Sequence, residues 1–341
     1  MRHVFRVSCL SIVASLAAGP ALSQGNLNVY CSVQAEWCAL IANEFQKHAG
    51  VKVAITQKGS GETIAQIKAE AANPKSDVWF GGTGDPHLQA AEDNLTDSYK
   101  SPALPSLHAW AQKQAADSGY RTVGIYAGAL GFGYNTELIA KKKIAPPACW
   151  ADLLKPPFKG EIQMANPNSS GTAYVAIATL VQVMGEDKAF DFLKAMHANI
   201  NAYTRSGTAP MKAVARGETA VSISFVHDGV TEALASFPVK TATPCEGTGY
   251  EIGSISIIKG ARNMANARKF VDWALSPAAQ QLGAQAKQFQ VPSNKDTPVP
   301  AEAPKFADMK LIDYDFAKYG RTAERKRLIA RWDTEIGALA K

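Results

Sequence analysis

The chain lacks most of the signatures that would announce an enzyme or a nucleic-acid-binding protein. No basic block is longer than Lys141-Lys142-Lys143, and 36 Lys+Arg against 30 Asp+Glu leave a net charge of +6. So mild and dispersed an excess reads as a solvated surface and gives no footprint for nucleic acid. There is no G-x-x-x-x-G-K-[ST], no H-E-x-x-H and no G-x-S-x-G, which removes the common phosphate-loop, zinc-protease and serine-hydrolase readings. No G-x-G-x-x-G follows the first expected strand, so a dinucleotide site is not expected. The cysteines have no C-x-x-C spacing and no histidine pair beside them, so neither is a zinc site. No apolar run reaches the ~20 residues of a membrane-spanning helix. The sequence therefore predicts neither an enzyme nor a cofactor.

What is present is a large folded chain. It has 341 residues, 46% of them hydrophobic and 19% charged, enough for sizeable cores and long enough for two domains. Arg2 and Arg6 precede an apolar stretch from Val7 to Ala18, a Gly19-Pro20 break and Ala21-Leu22-Ser23. That layout predicts a secretory signal peptide over 1–23, cleaved after Ser23, and a periplasmic mature protein. Losing Arg2 and Arg6 lowers the net charge from +6 to +4, and losing Cys9 leaves four of the five cysteines. An even number in an oxidising compartment favours disulfides. Three pairings are open. The favoured one joins Cys31 to Cys38 across a short loop and Cys149 to Cys245 across a long one.

Periodicity then gives an α/β order. Strands are expected at Leu27–Cys31, Val51–Thr56 and Asp77–Phe80, with helices at Ala35–Lys47 and from Ile64 to the Asn73-Pro74 break between them. Strand, helix, strand, helix, strand implies a parallel sheet. Val123–Ala127 and Leu130–Tyr134 follow as apolar, glycine-rich stretches with no helix between. Further strands are expected at Ile162–Ala165, Ala220–Phe225 and Gly253–Ile258, and helices at Gly171–Met184, Ala189–His197, Ala209–Ala215 and Arg268–Leu275. The proline-rich segment 296–304 reads as an exposed connection. Two α/β lobes fit this order, one from 24–127 and 257–300 and the other from 128–256 and 301–341. The chain crosses between them near 128–134 and 250–256.

Four loops of small, hydroxylated residues each open a helix: 58–63, 81–84, 168–172 and 205–208. A helix N-terminus offers free N–H groups and partial positive charge, glycine admits a ligand to the backbone, and Ser/Thr add donors. One such loop is explained by ordinary N-capping. Four, on both expected lobes and at strand ends, point to an oxyanion held in an interlobe cleft. His227-Asp228, read as the end of a strand, and Glu251, read as the start of one, are a second cluster that can accept hydrogen bonds or pair with an ammonium. His227-Asp228 could instead be half of a hydrolase's acid–base pair, although no nucleophile accompanies it.

Tyr30-Cys31-Ser32, G-S-G-E-T at 59–63, G-F-G-Y-N at 131–135, N-P-N-S-S-G-T-A-Y at 166–174 and E-G-T-G-Y-E-I-G at 246–253 together resemble the ferric-iron-binding-like family of periplasmic solute-binding proteins. The resemblance covers the mature chain. It implies two α/β lobes of the type II-like periplasmic binding fold, hinged by two crossing strands, with the ligand in the interlobe cleft. It also implies a membrane permease of an ABC importer as partner, and a monomer is expected. Iron-binding members use adjacent tyrosines, and this sequence has no Tyr-Tyr. The His-Asp pair and the G-Y-E segment are similar to the sugar-phosphate-binding branch. By that similarity His227, Asp228 and Glu251 would hold sugar hydroxyls. Ser60, Thr83, Ser169, Ser170, Gly171, Thr172, Ser206 and Thr208 would hold phosphate, with Ser32 a weaker candidate. The expected ligand is a hexose phosphate. The alternatives are a phosphonate such as 2-aminoethylphosphonate, then ferric iron, then a secreted phosphatase.

Overall fold

The computed structural model describes residues 25–339; the signal peptide expected at 1–23 lies outside them. Eleven strands join in one sheet: β1 (Asn26–Cys31), β2 (Lys52–Gln57), β3 (Val78–Phe80), β4 (Thr96–Asp97), β5 (Val123–Asn135), β6 (Ile162–Ala165), β7 (Ile200–Thr204), β8 (Val221–Phe225), β9 (Val239–Ala242), β10 (Tyr250–Ile258) and β11 (Val291–Pro292). The main path runs β2-β1-β3-β10-β5-β8-β6-β7. β1, β2 and β3 are mutually parallel at one end, and β6, β7 and β8 at the other. β10 and β5 lie antiparallel between them. The two apolar stretches expected around 123–134 are one continuous strand. Its first part pairs with β10 and β11 and its last part with β8 and β9, so β5 runs through both halves.

Each half has its own core. The helix Ala35–Ala49 buries Trp37, Cys38, Ile41, Ala42 and Phe45, the three-and-four spacing of one helical face. It stops at Gly50, whose φ of 66° is left-handed backbone that glycine enters without strain. Its buried face packs with β1, β3 and Phe270. In the other half the helix Gly171–Met184 is buried through its first three turns, beside Trp150, Phe190 and Phe132. Tyr314, Leu328, Trp332 and Ile336 from the C-terminal segment complete that core. The cysteines pair as expected, Cys31 with Cys38 and Cys149 with Cys245.

Some expected elements end differently. The helix around Ile64 spans Ser60–Ala69 and stops before Asn73-Pro74, and the one expected from Ala189 starts at Glu186. Strand β7, and helices such as Thr136–Lys142, Pro277–Gln285 and Thr322–Trp332, had no reading in the sequence. His227-Asp228 does not close a strand. β8 ends at Phe225, and both residues sit in the first turn of the helix Val226–Leu234.

Candidate ligand-binding cleft

Parallel strands deliver their C-terminal ends to one edge of a sheet. Here the ends of β1, β2 and β3 and of β6, β7 and β8 open onto a shared cavity of about 390 Å³. Among its lining residues are Ser32, Ser60, Thr83, Ser170, Gly171, Thr172, Ser206, Thr208, His227, Asp228 and Glu251, eleven of the twelve candidates. Ser169 is the exception. Its Oγ donates to the carbonyls of Asn166 and Arg205, so it fastens the loop it belongs to.

The hydroxyl end is built from loop contacts. Gly81 and Gly82 have φ of 74° and 84°, and this turn brings Thr83 N within 3.1 Å of Ser60 Oγ, which accepts from it. A Cβ on Gly82 would lie 2.2 Å from that oxygen, so only glycine permits the approach. Ser32 Oγ accepts from Trp79 Nε1 and lies 3.1 Å from Thr63 Oγ1. Ser170 is the N-cap of the helix Gly171–Met184, its Oγ accepting from Ala173 N. Ser206 and Thr208 have their hydroxyls 3.0 Å apart. Thr83 Oγ1 is buried and has no partner within the protein. Lys58 and Arg205 also line the cavity, so this end is less purely neutral than the hydroxyl pattern suggested. Lys58 Nζ donates to Gln66 Oε1, and Arg205 Nε to Glu62 Oε1.

A second group of lining residues is buried and acidic. His227, Asp228 and Glu251 are 2–5% exposed. Burial pushes Asp228 up to about 7, against the hydrogen bond from Gln34. Burial, then the Asp228 and Asp85 charges, hold Glu251 well above the usual carboxylate range. Burial lowers His227 to about 3, so its imidazole is neutral at neutral pH and its 3.8 Å contact with Asp228 is no ion pair. Gln34 Nε2 donates to Asp228 Oδ1 at 2.8 Å, while Asp228 Oδ2 and His227 Nδ1 have no protein partner. His227 Nε2 lies 3.1 Å from Gln290 Nε2. Phe225 stacks on the His227 ring with the centroids 5.5 Å apart. Gly128 leaves room for that ring, since a Cβ there would fall 2.6 Å from Nδ1.

Gln34, Tyr126 and Gln290 were not legible as cleft residues. They are neutral and lie in no motif. Gln34 meets Asp228 across 194 residues and Gln290 meets His227 across 63. Tyr126 is the one tyrosine lining the cavity among the described residues, and its hydroxyl accepts from Gly82 N. Burial, then the Glu251 charge, raises its pKa well above the ordinary value, and it stands alone rather than in an adjacent tyrosine pair.

Two sheet halves around a polar cavity, lined by hydroxyl donors and by buried acids, define a protein that encloses a small polar solute. The chain belongs to the family described as bacterial extracellular solute-binding protein, which it matches over residues 73–319. It is similar to the periplasmic binding protein AfuA of Actinobacillus pleuropneumoniae, whose structure holds exogenous fructose-6-phosphate. Identity is 46%, covering 93% of this chain and all of that one, with a TM-score of 0.91. The periplasmic binding protein P5PA is 41% identical over 92% of this chain and all of its own, with a TM-score of 0.89. An uncharacterized protein of Haemophilus influenzae is 45% identical over 97% of this chain and 96% of its own length. Proteins of this kind have the two-lobe periplasmic binding fold, deliver small ligands to ABC permeases and are not enzymes. No helix among the described residues is long and apolar enough to cross a membrane.

Proposed function

We propose that this protein is the extracytoplasmic receptor of an ABC importer for a phosphorylated sugar, a hexose phosphate. The observation that carries the reading is the lining of one cavity, in which hydroxyls and helix N-termini meet the buried His227, Asp228 and Glu251. Ser60, Thr83, Ser170, Gly171, Thr172, Ser206 and Thr208 serve the phosphate, with Ser32 a weaker contact beside them and Ser169 fastening its own loop. Asp228 and Glu251 accept from sugar hydroxyls, His227 donates to them or bridges them, and Phe225 offers a flat apolar face to the ring. AfuA, with fructose-6-phosphate bound, is similar over almost the whole chain. The signal peptide 1–23 directs the protein to the periplasm. It works as a monomer in two lobes, 24–127 with 257–300 and 128–256 with 301–341.

Isothermal titration with fructose 6-phosphate, glucose 6-phosphate and 2-aminoethylphosphonate tests this. One-site binding of a hexose phosphate supports the reading. Binding of the aminophosphonate alone overturns it.

A further inference from the structure

Glu62 places a carboxylate on the wall of the end assigned to an anion. Like charge at that position opposes a phosphate unless something cancels it. Its Oε2 accepts from Gly59 N at 3.3 Å, within its own loop. Its Oε1 accepts from Arg205 Nε, on the loop that follows β7 in the other half of the sheet. Along the same seam the Glu62 loop meets a third loop, the one that follows β6, through backbone. A Cβ on Gly59 would lie 2.7 Å from Ser169 O, and one on Gly61 2.6 Å from Asn168 O. Ser169 Oγ in turn donates to Arg205 O at 2.8 Å, tying the seam to the arginine's own backbone. The Arg205 side chain is 79% exposed and Glu62 22%. The arginine is therefore the more solvent-exposed partner of the pair, and both residues line the cavity.

We propose that Arg205 is a positioning residue. It closes the anion end of the cleft as a clasp with Glu62 and cancels the Glu62 charge there, and it does not itself bind the phosphate. The inference rests on the hexose-phosphate reading for its ligand but has a separate signature. A cation that binds phosphate directly is missed whatever stands at position 62. A cation that acts through Glu62 is dispensable once Glu62 is neutral. Glu62→Gln, Arg205→Ala and the double variant form a cycle that separates these cases.

Titrations with fructose 6-phosphate, and in parallel with inorganic phosphate, read the cycle. Arg205→Ala should weaken binding about tenfold or more, with a faster off-rate, because an uncompensated carboxylate then faces the anion. Adding Glu62→Gln should bring the affinity back to within about threefold of wild type. Glu62→Gln alone should bind at least as well as wild type and show a steeper loss with salt, because Arg205 is then an unpaired cation. If the double variant is as weak as Arg205→Ala, Arg205 touches the phosphate and the inference is wrong. If Arg205→Ala binds like wild type, the clasp does nothing and the inference is equally wrong. Should wild type bind inorganic phosphate but not the sugar phosphate, the sugar reading falls and the cycle is scored on phosphate. Should it bind neither, the anion end and the clasp fall together.

Discussion

At Asp228, ligand binding and fold stability make opposite demands. Burial holds the carboxyl near 7 while an unfolded aspartate titrates near ~4. Between those values the folded chain keeps a proton that the unfolded chain has lost, so this group's contribution to stability declines as pH rises from about 4 to about 7. His227, lowered to about 3, contributes a slope of opposite sign from about 3 to about 6.5. Asp228→Asn removes the first contribution and leaves the second. Thermal melts between pH 4 and 8 should therefore show the variant equal to wild type near pH 4, increasingly more stable up to about pH 7, and level beyond. The same substitution replaces the unpartnered Oδ2 acceptor with an amide donor and should cost about 1–3 kcal/mol of hexose-phosphate binding by titration calorimetry. Unchanged affinity would remove Asp228 from the ligand's contacts. Asp228 and Glu251 were legible because acids beside small residues at expected strand ends are conspicuous. Gln34, which holds Asp228 Oδ1 from the other half, was not, because a lone neutral side chain carries no local signal of a contact made so far along the chain.

Among the elements, the helix Gly171–Met184 carries the clearest test of the anion end. Its cap was readable: Ser170 precedes a long apolar run, and the structure gives it that role. The helix Val226–Leu234 was missed because the apolar run of β8 continues into Val226, so local periodicity shows no break where the strand becomes helix. The N-cap chemistry separates folding from binding. Ser170→Asp keeps a side-chain acceptor for Ala173 N and suits the helix dipole, so the circular dichroism spectrum should be unchanged. It also puts a carboxylate where the phosphate is assigned, and binding should be nearly abolished. Thr172→Ala removes one donor among many and should cost only ~1–2 kcal/mol. A folded Ser170→Asp protein with wild-type affinity would place the anion elsewhere and leave 168–172 as a plain cap.

For the whole molecule, the order of strands and helices was readable because each half follows the βα alternation of a parallel sheet, with period-two strands and capped helices. What local pattern could not supply was contact between the halves, since it is made by residues whose neighbours in sequence explain nothing about it. Gly171 shows this. In the sequence it is one more small residue in a loop. In the structure a Cβ there would fall 1.8 Å from Thr83 Oγ1, 3.0 Å from Thr83 Cβ and 3.1 Å from its Cγ2. Turning the threonine side chain would move the hydroxyl but not the Cβ, and a β-branched residue that is 3% exposed has little freedom to turn. Gly171→Ala should therefore fold normally, because the new methyl meets the other half and not its own helix, yet hold the 81–84 and 168–172 loops apart. Stopped-flow and calorimetric titration should show hexose-phosphate affinity reduced by about tenfold or more, chiefly through a faster off-rate, since on-rates vary little among variants of one site. Small-angle scattering with saturating ligand should give the variant a larger radius of gyration than ligand-bound wild type. Wild-type affinity and an equally compact bound form would mean that the Thr83–Gly171 contact is not needed for closure, and that the two anion loops hold the ligand from a wider separation.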